Sequence, residues 1–520
     1  MHNPALVILL LIPLVGSGLV FSMREIQAKL AKQVSLAVSL IVLIYTAVVG
    51  FTFDTGPNAQ RFQFEGRWTW IKAFGVQFAF GVDGIALVLV GMSVLLVPAV
   101  ILASWNSFDS RAGSEEAATA AAPKRSVKNY FGLLLLLEFF MVGVFTATDV
   151  FLFYVFFEAM LVPMYFIIGS FGGPRRQYAA MKFFLYSLVG GLLMLASVIG
   201  LYVTTGSRTF AITELIGKVP DNATQKWLFL GFFIAFAIKA PLVPFHTWLP
   251  DAGAEAPAGG AALLVGVLDK VGTFGFLRYC LPLFPAASKY FAPTVLILSV
   301  IGILYAAFLA IGQRDMKRLV AYTSVAHFGF IGLGIFAFTT QGGTGAVLYM
   351  VNHGLSTGAL FIVVGLLIAR GKSRNVDDYG GAAKVTPILA GLFLLAGLSA
   401  LALPGMSTFV SEFLVLVGTF TRHKGFAILA TTGIVLAAIY VLYLYQRTFQ
   451  GAVNEKVLKF RDLNAREVLS VAPLIALIVF LGIYPKPVLD IINPAVRDTL
   501  NNMHQTDPAP KLGTAVGGVK

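Results

Sequence analysis

The sequence predicts an all-α polytopic membrane protein with about fourteen transmembrane helices. Three observations predict it. The chain of 520 residues is 58% hydrophobic and only 12% charged, about half the charge of a soluble domain. Its mean hydropathy is +0.83. Apolar runs of roughly 17 residues or more recur along it, each long enough to cross a hydrocarbon layer of about 30 Å.

The runs cover 4–21, 34–52, 84–104, 130–147, 150–170, 181–203, 227–249, 258–280, 292–312, 319–338, 345–368, 386–420, 426–446 and 468–484. In lipid each run satisfies its own backbone as a helix, so interior glycines and β-branched residues do not argue against these assignments. The first run lacks a basic leader and a small-x-small cleavage site and reads as a retained helix. The stretch 105–129, with "GSEEAATAAA", reads as a flexible loop. The tail "HQTDPAPKLGTAVGGVK" reads as disordered or as a strap for a partner.

An even number of crossings puts both termini on one side, and basic residues choose the side. With the N-terminus outside, 21 Lys and Arg fall in cytoplasmic loops and 14, Arg278 among them, on the opposite side. The bias favours termini on the outer side. The net charge of +13 then belongs to loops facing anionic lipid, and nothing in it points to nucleic acid. Cys280 is the single cysteine, which excludes internal disulfides and an iron–sulfur cluster ligated by this chain alone. No Gly-rich phosphate loop follows a strand, so no nucleotide site is expected.

The chemistry lies inside the spans. Glu138, Glu158, Lys182, Lys239, Asp269, Lys270 and Glu412 fall within apolar runs, and His246, His327 and His353 fall in or beside them. A charge at mid-bilayer costs at least about 2.5–3.5 kcal/mol. Some have plain explanations. Lys182, second in its run, can snorkel; Asp269 can neutralise Lys270; the histidines can pack. Glu158, Lys239, Lys270 and Glu412 are central and point to function, with metal ligation and cofactor binding both read as absent.

Two runs are interrupted. Pro241 and Pro244 follow Lys239, and Pro404 with Gly405 divides 386–420. Lys239 then sits at the carbonyl end of a half-helix and Glu412 near the amide end of another, past the possible caps Ser407 and Thr408, each where the local dipole suits its charge. The broken runs are the seventh and twelfth. Because five is odd, a duplicated five-helix unit inverts, as in transporters with broken helices at the midplane. This divides the chain into 1–128 with helices 1–3, a first repeat at 129–280 (helices 4–8), a second at 281–449 (helices 9–13), and helix 14 with its tail at 450–520.

Five stretches in order carry a family resemblance: "FFEAMLVPMYFIIG", "AIKAPLVPFHTWLPDAGAEAPAGGAALLVGVLDK", "DMKRLVAYTSVAHFGF", "VNHGLSTGALF" and "LALPGMSTFVSEF". Over nearly its whole length the chain resembles the antiporter-like membrane subunits of respiratory complex I, the NADH–quinone oxidoreductase. The resemblance implies that Glu158 and Lys239 form the glutamate–lysine pair of helices 5 and 7. It makes Lys270 the central lysine and Glu412 the terminal ionisable group. His246, His327, His353 and Glu138 match the family's relay positions, while Asp269 has no matched role. Sister subunits L and N and the antiporter relatives usually carry lysine where Glu412 stands. The short segment after the last run leaves no room for the lateral helix of subunit L.

The implied function is proton translocation driven by NADH-to-quinone electron transfer, as a subunit of a translocase with no redox centre on this chain. FMN, iron–sulfur clusters and quinone would be held by partner subunits. The implied partners are other complex I membrane subunits, especially two sister antiporter-like chains, and membrane lipid. The alternative is a subunit of a multisubunit sodium/proton antiporter, against which Glu412 argues. A haem-bearing quinol-oxidising subunit fits poorly, because the three intramembrane histidines sit singly in separate runs.

Overall fold

The computed structural model describes residues 3–56, 58–108 and 126–508. Among the described residues, twelve helices are long and apolar enough to cross a membrane. Two further crossings are the broken ones, Asn222–Lys239 with Trp248–Glu255, and Pro387–Ala400 with Ser407–Arg422. Numbered in chain order, the broken crossings are spans 7 and 12, as the prolines predicted.

Spans 1 to 6 are Ala5–Ser22, Glu25–Phe51, Gly84–Ala103, Val127–Thr146, Val150–Phe171 and Arg176–Thr205. Spans 8 to 11 are Ala258–Leu283, Pro285–Ile311, Met316–Phe336 and Thr340–Gly371, and spans 13 and 14 are Lys424–Phe449 and Ala465–Ile483. Spans 8 and 11 are buried throughout, whereas spans 1, 2, 6, 13 and 14 keep most of their surface outward. Leu185, Val189 and Leu192 of span 6 and Ile428, Leu429 and Val435 of span 13 are exposed apolar side chains. Such a surface suits hydrocarbon, and the polar residues collect on the interior helices.

The chain is helical throughout its spans, and among the described residues one hairpin joins spans 2 and 3. Strand β1 (Gln63–Ile71) pairs antiparallel with β2 (Val76–Val82). "QFEGRWTWI" and "VQFAFGV" alternate aromatic or branched residues with polar or small ones, a strand pattern too short to register as a crossing.

A further helix follows span 14. Lys486–Asn502 forms an amphipathic helix burying Ile492, Ala495, Val496, Thr499 and Leu500, packed against spans 3 and 11. Its apolar residues recur at helical spacing but alternate with polar and charged ones, so long apolar runs do not reveal it. The tail's first residues then bind this chain. Asp507 Oδ1 accepts from the Thr340 amide at 2.7 Å, and Arg422 Nη1 donates to Gln505 Oε1 at 2.7 Å. The rest of the expected tail, and most of the loop expected to be flexible at 105–129, lie outside the described residues.

The placement of Arg278 is corrected. Counted above with an outer loop, it is fully buried in span 8 and pairs with buried Asp83 at 2.6 Å. Asp83 also caps span 3 by accepting from the Ala86 amide.

Candidate functional site

Local backbone irregularities set out the charged residues. In span 5, Pro163 cannot bond the carbonyl four residues back, and the helix divides into Val150–Ala159 and Leu161–Phe171 one turn before it. Glu158 sits at this division. In span 7 the first half-helix ends on Lys239 itself. Trp248 Nε1 donates to the freed Ile238 carbonyl at 2.8 Å, closing one open backbone group inside the protein.

Span 8 contains two π-turns, Leu264–Leu268 and Phe276–Cys280, flanking Lys270–Gly275. A π-turn releases carbonyls from the ladder and is frequent at functional sites. Here Lys270 Nζ donates to the Val265 carbonyl. Gly272 brings this helix against the end of the first half of span 7. A Cβ at 272 would lie 2.6 Å from the Ala240 amide nitrogen and would overlap the Phe236 carbonyl, so only glycine permits that approach.

The result is a line of buried groups. Glu158 is half-buried, with Oε1 unpaired among the described residues, and lies within electrostatic reach of Lys239. Gly191 of span 6 leaves its carboxylate room, since a Cβ there would overlap Oε1. Lys239 is buried, and its ammonium has no hydrogen-bond partner among the described residues; it lies 4.7 Å from the Phe157 ring centroid. Asp269, buried with both oxygens unpaired among the described residues, is within electrostatic reach of both Lys239 and Lys270. The residue that sequence reading left without a role is therefore coupled electrostatically to both lysines.

From Lys270 the line continues. Its Nζ is 2.6 Å from His353 Nδ1. The His353 ring meets the His327 ring edge-on at 5.1 Å, and His327 lies 5.8 Å from the Tyr349 ring. The Tyr349 hydroxyl donates to Glu412 Oε2 at 2.9 Å. Tyr349 escaped sequence reading, although it lies four residues before His353 and so shares its helix face. That spacing was the available signal.

Glu412 occupies the first turns of the half-helix Ser407–Arg422, as expected, but neither Ser407 nor Thr408 caps it. Met406 stands at the cap without a side-chain bond. The Ser407 carbonyl instead accepts from Asn352 Nδ2 at 2.7 Å, and Thr408 pairs with Ser399 across the break at 2.9 Å.

Two expected relay residues are not brought into the line. Glu138 is fully buried in span 4, and among the described residues neither oxygen finds a hydrogen-bond partner. His246 lies in the break of span 7 against Tyr305, ring centroids 5.4 Å apart, within reach of Lys182. Lys182 does not snorkel freely; it pairs with Asp251 at 2.7 Å, and Asp251 also binds Arg318. The sequence could not say which way these residues turn.

Six spans thus contribute ionisable or proton-bearing groups to one buried row: Glu158, Lys239, Asp269 and Lys270, His327, His353 with Tyr349, and Glu412. Burial disfavours every charged form, and an opposite charge nearby restores it. Proton occupancy at one position therefore depends on its neighbour.

A family model described as "NADH:quinone oxidoreductase/Mrp antiporter, TM" matches residues 147–437, the stretch that contains the whole row. The chain is 49% identical to the NADH-quinone oxidoreductase subunit M of Mycobacterium tuberculosis, over all of this chain and 98% of the relative. Among solved structures, a chain of respiratory complex I from Thermus thermophilus with bound NADH superposes with a TM-score of 0.85 at 30% identity, covering 96% of this chain and 99% of that one. A chain of the Mrp complex from Dietzia sp. DQ12-45-1b shares the fold, with a TM-score of 0.84 at 20% identity over 96% and 98% of the two chains.

Proposed function

We propose, for a chain that belongs to the NADH:quinone oxidoreductase/Mrp antiporter family and, within it, to the subunit M group, that protons cross the membrane arm of respiratory complex I along the row from Glu158 to Glu412. The observation that carries this reading is the contact sequence Lys270–His353–His327–Tyr349–Glu412, joined through Asp269 to Lys239 and Glu158.

The switch is electrostatic. With Glu158 ionised, Lys239 keeps its proton; when a movement in the neighbouring subunit neutralises or withdraws Glu158, the buried ammonium becomes a proton donor. Asp269 receives that influence and passes it to Lys270. The imidazoles accept from Lys270, and Glu412 is the last carboxylate before release. Half-exposure of Glu158 suits a group that answers to a sister subunit at that face. FMN, iron–sulfur clusters and quinone are assigned to partner subunits, the enzyme being a translocase to which this chain contributes the proton path. The chain lies in the bacterial plasma membrane with its termini on the outer side, and spans 4–8 and 9–13 are the two inverted units. His246 and Glu138 supply proton access from the flanks.

The test uses the whole complex in sealed vesicles. Glu412→Gln keeps shape and removes charge; it should assemble, oxidise NADH with an artificial acceptor, and pump fewer protons per NADH. Lys239→Arg should also fail to pump, since guanidinium does not release its proton in a protein. Wild-type pumping in both variants would refute the assignment. Failure of the chain to co-purify with NADH–quinone oxidoreductase activity would favour the sodium/proton antiporter reading.

A further inference from the structure

The row contains one gap that no acid, base or histidine fills. Beyond His327, the next ionisable acid is Glu412, on a different half-helix, and Tyr349 lies between them. It is fully buried, its ring centroid is 5.8 Å from His327, and its hydroxyl donates to Glu412 Oε2 at 2.9 Å. Among the described residues, both imidazole nitrogens of His327 lack a side-chain partner, and so does His353 Nε2. A second phenol, Tyr440 of span 13, is buried and within electrostatic reach of Glu412.

We propose that Tyr349 is a proton-relay residue, its hydroxyl handing the proton from the His327–His353 pair to Glu412. This rests on the proton-path reading above and deepens it. A phenol donates through O–H and accepts on the same oxygen. In a single step, imidazolium gives its proton to the phenol oxygen, directly or through one water. At the same moment the phenol's own proton passes to the Glu412 carboxylate. Imidazole, neutral phenol and a protonated carboxyl result, with no phenolate formed. Rotation of the hydroxyl about its C–O bond then resets the donor. A phenylalanine preserves the ring and its packing but can do neither.

The experiment compares three forms of the complex in sealed vesicles: Tyr349→Phe, Glu412→Gln, and a form carrying 3-fluorotyrosine at 349. Tyr349→Phe should retain NADH oxidation with an artificial acceptor and lose about tenfold or more in quinone-linked proton transport, the lower end being modest for a lost acid–base group. The fluorinated phenol keeps shape and hydrogen bond but is more acidic. Because the phenol proton is in flight in the transfer step, proton transport should show a changed rate and solvent deuterium isotope effect at fixed pH, which a purely structural tyrosine would not cause. If Glu412→Gln is impaired while Tyr349→Phe and the fluorinated form behave as wild type, the relay assignment is overturned and the proton path stands. If Glu412→Gln and Tyr349→Phe both pump normally, the path itself is refuted.

Discussion

Gly191→Ala tests the Glu158 site without touching any ionisable residue. Gly191 and Glu158 lie on adjacent spans, and a methyl at 191 would fall on the carboxylate, overlapping Oε1. The obstructing atoms are the free end of a flexible side chain, so the protein can yield cheaply. Overpacking costs about 1–3 kcal/mol, and the lower end applies because the carboxylate can swing away. The functional cost is larger. An ordinary Cβ contact begins near 3.4 Å, so the carboxylate must withdraw by roughly 1 Å or more, a displacement that can cost on the order of 100-fold in a positioned reaction. A 10- to 100-fold loss of quinone-linked turnover corresponds to about 1.4–2.7 kcal/mol in barrier. The assay is NADH–quinone turnover and proton release in vesicles, with artificial-acceptor activity and thermal stability as measures of assembly. Gly391→Ala is the control, since a Cβ there meets nothing within 4 Å. An assembled Gly191→Ala complex that pumps like wild type would refute the claim that Glu158 must occupy this pocket.

Lys270→Ala should abolish coupled turnover, whereas His327→Ala should retain a substantial part, because water can replace a relay imidazole more readily than a cation fixed by Val265 and His353; equal losses contradict the ranking. Arg278→Ala removes the nearer of two guanidinium partners of buried Asp83, leaving Arg61 at 4.0 Å, and should destabilise the chain by about 3 kcal/mol, the lower end for a broken buried pair, read as lower thermal stability at unchanged proton-to-NADH ratio in what assembles. In the loop after span 11, a hydrogen bond from Ser373 and, next, Lys456 at 3.3 Å hold the Asp378 carboxyl below the usual carboxylate range. A depressed carboxyl contributes its stability above its unfolded value and loses it as pH falls through the folded one. Protection from hydrogen exchange at 373–378, taken relative to the intrinsic rate at each pH, should therefore hold at neutral pH and fall only below about pH 4, and Asp378→Asn should show the lower protection already at pH 7.

The sequence by itself determined what depends on depth. Run length fixed the crossings, because the hydrocarbon layer sets how many apolar residues each needs. Proline and glycine fixed the breaks after Lys239 and around Pro404, because a missing N–H interrupts the ladder whatever surrounds it. The cost of burying charge singled out Glu158, Lys239, Lys270 and Glu412. What tertiary structure alone decided is azimuth, the direction each side chain takes around its helix, which only packing against neighbours fixes. The row and its exceptions follow from that: Asp269 feels both lysines and Tyr349 reaches Glu412, while His246 packs against Tyr305. The glycines depend on it too, since Gly191 and Gly272 matter only through the carboxylate and the backbone that press against them. Arg278 looked like a loop residue until Asp83, 195 positions away, supplied its partner. Such pairings are properties of the assembled bundle, because a helix has one axis but its neighbours choose which face looks inward.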